Sequence, residues 1–344
     1  MQDRESHGND QSRPASPDDR LQPAAEDAGS LGETEPVGPG AGGPGRTRRI
    51  PFRAVGDAGG RGEAGRGAGG DRAWFWPVVN LVGLAAVILV NWLANWLPLN
   101  DQTTGEIANR NPVPFQPAGW AFAIWIVIYA LLLVFVVYGL LPPGRTNPRI
   151  QAVGPFFLVA NIANITWLFL WHWEQFGGAL VAMTVLLAAL VGIYAMIRAR
   201  GRAGVEPTLL QRLAVWTPFS VYLGWISVAI LANIQIWMDR GGWDGGPFGL
   251  RAWAVIFMVA GVLVAAGVAF FLHDAAYTAV FVWAYLAIAQ KQWDVSKAVS
   301  ITAILLVVVA AAVTAMAFIL AFDRRTMQGG GVSLRRRPSP SSGM

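Results

Sequence analysis

Phe122, Trp125 and Tyr129 stand at offsets of three and four, so on a helix they share one face. The same spacing recurs at Asn164, Trp167 and Trp171, with Asn161 a turn earlier, and along Tyr222, Trp225, Ala229, Asn233 and Trp237. Asn80, Asn91 and Asn95, eleven and four apart, form a fourth such set. Rings and amides do not supply acid–base or nucleophilic chemistry. What they can do is enclose a molecule: the rings give flat apolar walls and the amides a few polar fixtures, the usual make-up of a small-molecule site. Spacing alone fits helix packing equally well.

The elements that carry these residues are membrane helices. The chain has 344 residues, 54% hydrophobic and 14% charged, with the charge gathered before Trp74 and after Phe322. That distribution predicts an all-α integral membrane protein with polar ends. Apolar stretches near the ~20 residues needed to cross a bilayer are predicted at 76–97, 117–141, 153–173, 179–197, 213–238, 252–272, 275–290 and 298–322, the seventh being short. Backbone groups inside lipid must be satisfied within the segment, so each is expected to be helical.

Residues 1–73 are rich in Gly, Pro, Asp, Glu and Arg and lack an apolar run after Met1, so they are expected to form a disordered arm rather than a signal peptide. Residues 323–344 form a basic tail. Arg61, Arg66 and Arg72 precede the first span, Arg145 and Arg149 follow the second, Arg198, Arg200, Arg202 and Arg212 follow the fourth, and Arg324, Arg325 and Arg335 to Arg337 follow the eighth. Eight crossings put all of them on one side, which the positive-inside rule makes cytoplasmic. The net charge of +5 is thereby explained by orientation, and nucleic acid is not expected as a partner.

No predicted span contains Asp, Glu, Lys or Arg. Each would cost roughly 2.5–3.5 kcal/mol at a helix centre, so chains that keep them usually use them. Ion-coupled transport, proton pumping and a retinal Schiff base are disfavoured on that ground. The chain has no cysteine, so disulfides and thiolate chemistry are excluded. His172 and His273 sit at span ends, remote from His7, and predict no metal site. The His273–Asp274 pair admits a pH-switch reading, with a polar surface turn favoured.

With this orientation Asn91, Asn95, Phe122, Trp125, Asn164, Trp167 and Asn233 all fall within roughly 15 Å of the outer surface at ~1.5 Å per residue. Four helices therefore bring rings and amides to one level, and the loop 98–116 is placed to cover them. Asn residues facing inward would bond across helices or to a ligand. Trp76, Trp92, Trp96, Trp173, Trp253 and Trp293 lie at span ends and read as interfacial anchors. Trp283 lies mid-membrane, where that explanation fails.

The motifs resemble those of the translocator protein family, also called tryptophan-rich sensory proteins or TspO/MBR. Pro117, Gly119, Trp120, Phe122, Trp125 and Tyr129 match the start of its second helix, Asn164 and Trp167 its third, and Tyr222, Trp225, Ala229, Asn233 and Trp237 its fifth. Ala118 departs from the family's Pro-Pro pair, and the outer loop is longer and lacks its Trp. The resemblance covers about 76–238 and implies a five-helix bundle over 74–238, with 239–322 as a three-helix extension. It implies a cavity for a planar apolar ligand, tetrapyrrole- or sterol-like, with porphyrin or haem as a ligand and no covalently bound cofactor. Phe122, Trp125, Tyr129, Asn164, Trp167, Tyr222, Trp225, Ala229, Asn233, Asn91 and Asn95 are the residues expected to line it. Three functions follow: a receptor or sensor, a facilitator or transporter of the same ligand, and an enzyme acting on a porphyrin. The third has least support, because the spans hold no carboxylate pair or activated nucleophile. The expected partners are the lipid bilayer and the ligand; a homodimer is compatible. The expected location is the inner cell membrane.

Overall fold

The computed structural model describes residues 64–97, 99–201 and 207–333, with side chains described over 73–97, 99–199 and 207–322. Residues 1–63 and 334–344, most of the expected arm and the end of the basic tail, lie outside the described residues. Eight long helices follow one another: α1 (Ala64–Trp96), α2 (Ile124–Leu140), α3 (Pro148–His172), α4 (Phe176–Gly201), α5 (Thr217–Arg240), α6 (Gly249–Gly267), α7 (Ala275–Gln292) and α8 (Lys297–Ser333). A 3-10 turn, Gly119–Ala123, leads into α2, and π turns at Arg212–Trp216 and Val268–Leu272 open α5 and close α6. Among the described residues there are no strands.

Seven of these elements are long and apolar enough to cross a membrane. The apolar parts of the first and last are Ala73–Trp96 and Lys297–Phe322, yet α1 begins at Ala64 and α8 runs to Ser333. Once the buried span has nucleated the helix, each further residue adds a hydrogen bond at little cost, so the helices outrun the apolar stretches that predicted them. The other long helix, α7, ends in Gln290, Lys291 and Gln292 and is less apolar. At ~1.5 Å per residue its length still approaches the ~30 Å of a hydrocarbon core. Its start contacts the end of α4 and the start of α5, through Arg198 and Ser220, while its end contacts residues 113–121 at the other end of the bundle. It therefore traverses the bundle from end to end.

The first five helices close a ring in the order α1, α2, α5, α4, α3. Close approach is made by small residues at the crossings. A Cβ on Gly154 would lie 2.3 Å from the Trp76 ring, and one on Gly224 would lie 2.9 Å from the Tyr277 carbonyl of α7. Trp76, expected to be an anchor, is thus also a packing residue. One half of the ring is filled solid by Phe135, Phe157 and Phe219, whose rings meet edge to face at 4.8–5.6 Å. The other half, towards the loop between α1 and α2, is not filled in this way, and the cavities lie there. α7 packs against α5, and α8 packs against α6 and α7 on its far side. Outward faces carry Ile126, Val181, Leu263 and Phe271, apolar side chains suited to lipid.

Candidate functional site

Two cavities share their walls at the loop end of the ring. The larger, a cleft of about 520 Å³, lies between α1 and α2 and is lined by Ile88, Asn91, Trp92 and Asn95 of α1, by Gly119, Phe122, Trp125 and Tyr129, by Trp167, and by the loop residues Thr103 to Gly105 and Asn109. The inner cavity, about 50 Å³, is lined by Phe122, Trp125, Trp167, Trp171, Trp225, Ala229 and Asn233 among others. The cleft falls within the ~300–1,000 Å³ of ordinary small-molecule sites. Nine of the eleven residues expected at the site line one or both cavities, and the remaining two, Asn164 and Tyr222, sit directly behind them.

The rings interlock. Trp125 stacks on Tyr129 with centroids 5.5 Å apart and meets Tyr222 edge-on at 5.8 Å. Phe122 and Trp125 each meet Trp225 edge-on, at 6.0 and 6.4 Å. Trp167 stacks on Trp171 at 5.5 Å. These are the offset and T-shaped arrangements that ring quadrupoles favour. Phe122 belongs to the 3-10 turn rather than to α2 itself, and it still shares a wall with Trp125.

The amides are spent largely on one another. Asn91 Nδ2 donates to Asn164 Oδ1 at 3.1 Å, and Asn164 Nδ2 donates to the Tyr222 hydroxyl at 3.1 Å. Trp167 Nε1 donates to Asn233 Oδ1 at 3.1 Å, while Asn233 Nδ2 donates to the Ala229 carbonyl. Asn95 bonds the carbonyl of Asn91 one turn back. These bonds tie α1 to α3 and α3 to α5, so the amides stitch the cavity walls together. Three other polar atoms at the cavities have no protein partner: Gln116 Oε1, itself an acceptor, and two buried donors, the Trp225 indole N–H and the Tyr129 hydroxyl. An unmade buried hydrogen bond is costly, so the two donors are the groups available to a ligand acceptor.

The connection between α1 and α2 is a lid with structure of its own. A short helix, Thr104–Arg110, is closed by a capping box in which Glu106 N–H donates to the Thr103 hydroxyl and Thr103 N–H donates to the Glu106 carboxylate. The Thr103 backbone N–H, and after it the Thr103 hydroxyl, hold the Glu106 carboxyl below its usual range. A depressed carboxylate pKa means the cap persists at neutral pH and is lost only as pH falls through that lowered value. Ile107 and Ala108 of the lid helix are buried. Trp171 Nε1 donates to the Thr104 carbonyl and Gln102 to that of His172, fastening the lid to α3. Phe115 N–H donates to Gln235 of α5. The expectation that this loop covers the cavity agrees with its position.

Several participants were not singled out from sequence. Trp92 was read only as an interfacial anchor and Asn109 carried no signal, whereas Thr103-x-x-Glu106 is a local signal that announces the lid helix. His172 is wholly buried, with Nδ1 2.8 Å from the Leu168 carbonyl. The reading of His273–Asp274 as a polar surface turn is corrected. Asp274 is 6% exposed, and its Oδ2 accepts from Tyr194, Arg198 and Ser220 at 2.8, 2.5 and 2.6 Å. Its Oδ1 accepts the N–H groups of Ala276 and Tyr277, capping α7. The reason is tertiary: the end of α4 and the start of α5 converge on this turn and need an acceptor there.

No curated protein and no solved structure matches this chain. A family model described as TSPO-like protein matches residues 77–316, a span that includes α6, α7 and most of α8 as well as the five-helix ring. With well over half of its length matched, the chain belongs to the TSPO-like protein family.

Proposed function

We propose that the protein is a membrane receptor or sensor for a planar apolar ligand of tetrapyrrole or sterol type, taken up in the cleft between α1 and α2. The observation that carries the reading is the cleft itself: Phe122, Trp125, Tyr129 and Trp167 present rings to a space of about 520 Å³ that the lid partly covers. Flat walls suit a flat molecule. The buried Tyr129 hydroxyl at the cleft, and the Trp225 N–H in the adjoining inner cavity, would meet an acceptor such as a carboxylate or carbonyl on an edge of the ligand that reaches inward. Titration of purified protein with protoporphyrin and with haem, followed by ligand absorbance and tryptophan quenching, should give saturable binding of at least one of them. Non-saturable uptake equal to that of empty detergent micelles would remove the reading.

The orientation is part of the proposal, since it decides which compartment the lid faces. Both termini are taken as cytoplasmic and the lid as external. Reporters fused after Arg325 and within the loop 241–249 should then report opposite sides of the membrane. The same side for both would overturn the eight-crossing topology.

A further inference from the structure

The start of α2 forms part of the cleft wall and is held from outside the five-helix ring. Residues 117–123 include Pro117, Gly119 and Phe122, which line the cavities. A 3-10 turn leaves several of its own backbone groups without partners inside the turn. Here α7 supplies them. Ala118 N–H donates to the Ala287 carbonyl at 3.0 Å, and Trp283 Nε1 donates to the Ala121 carbonyl at 3.0 Å. The Trp120 indole N–H donates to Gln290 Oε1, and the Trp120 and Trp283 rings meet edge to face at 4.7 Å. The last turn of α7 reaches the lid as well: Lys291 Nζ bonds Asn109 Oδ1, and Gln292 Nε2 bonds the Val113 carbonyl.

The other end of α7 is equally fixed. Asp274 is bonded to α4 through Tyr194 and Arg198 and to α5 through Ser220. Between the two ends, Gly224 of α5 lets the Tyr277 carbonyl approach closely. A helix tethered at both ends and packed along its length is a stiff reference against which the 3-10 turn is placed.

We infer that α7 is a strut that positions the wall of the ligand cleft, with Trp283 and Gln290 as its positioning residues. Neither touches the cavity. Their effect on binding passes through Trp120 and Ala121 to Gly119 and Phe122. As a statement about ligand affinity, the inference rests on the cleft being the ligand site. As a statement about the wall, it does not.

The cysteine-free chain allows a direct test. Ala121, in the same turn and itself the acceptor of the Trp283 bond, is fully buried, so the rate at which a maleimide modifies Ala121→Cys reports opening of the wall. Trp283→Phe keeps a ring and removes the N–H; Gln290→Ala removes the acceptor. Each lost hydrogen bond should raise the labelling rate of Ala121→Cys by about three- to ten-fold. Gln290→Glu, which keeps an acceptor oxygen, should restore the native rate. Protoporphyrin affinity, measured by absorbance, should fall by a similar factor in the first two variants and recover in the third. A second reporter, Ala160→Cys at a fully buried site on α3, should stay protected throughout. Unchanged labelling at Ala121→Cys would overturn the strut, as would equal exposure of Ala160→Cys, which would mean general loosening. Failure of the unsubstituted protein to bind protoporphyrin would count against the ligand reading alone, because the labelling arm still decides the strut.

Discussion

Replacing Asp274 by alanine should lower the stability of the folded bundle by about 3 kcal/mol, the low end of the ~3–5 kcal/mol seen when one partner of a buried ion pair is removed. The low end applies because Arg198 retains 18% exposure of its side chain. Three donors lose their acceptor together: Tyr194, Arg198 and Ser220. Arg198 would keep the Leu272 carbonyl and the ring faces of Tyr194 and Trp216, 4.7 and 4.8 Å from its guanidinium, which soften the loss without cancelling it. The N-terminal cap of α7 goes as well, worth ~1 kcal/mol in typical hosts. Asp274→Asn should do less harm, since an amide oxygen can still cap Ala276 and Tyr277. Adding Arg198→Met to Asp274→Asn should recover part of the deficit, because the uncompensated charge is then removed. Thermal inactivation of the detergent-solubilised protein measures all three. An Asp274→Ala variant as heat-resistant as the parent would show that the network contributes nothing net.

This site also marks where sequence reasoning stops. The eight helices were legible because lipid demands long apolar stretches, and their faces were legible because rings and amides recur at three and four. Depth followed from counting residues from the span ends, which is why Trp125, Trp167 and Asn233 were expected at one level and do lie around a shared cavity. Helix rotation and neighbour order were not legible. Asn164 could be assigned a depth, but its partners Asn91 and Tyr222 are 73 and 58 residues away. Asp274 and Arg198, 76 residues apart, each look like ordinary charges at a span end. Trp283 was the partial exception. Its mid-membrane position argued against an interfacial role, yet its acceptor, the carbonyl of Ala121, stands 162 residues away and carries no side-chain signature at all.

Trp125→Leu should weaken protoporphyrin binding about ten-fold, and the structure separates this variant from its neighbours. Trp125 is half-buried and lines both cavities. Leucine there keeps apolar bulk and helix propensity but gives up the flat face, worth about 0.5–1.5 kcal/mol beyond area, and ten-fold corresponds to about 1.4 kcal/mol. Trp225 is different: it is 2% exposed and braced by Phe122 and Trp125. Its replacement by leucine would mix lost binding with a packing defect of order 2 kcal/mol. Trp225→Phe is the milder variant, because it keeps a ring at the site while removing the unpartnered indole N–H together with part of the indole's bulk. If that N–H meets a ligand acceptor, Trp225→Phe should bind about three- to ten-fold more weakly. Without such an acceptor, it should bind as the parent does. Trp253→Leu supplies the control, since Trp253 bonds the Gly245 carbonyl and packs on Trp243 and Phe257, away from both cavities. Binding must be followed by the ligand's own absorbance, because the chain holds 16 tryptophans and removing one alters the quenching signal itself. Equal weakening by Trp125→Leu and Trp253→Leu would mean that the tryptophans act through stability. No weakening by Trp125→Leu, in a protein that still binds, would move the ligand out of this cleft.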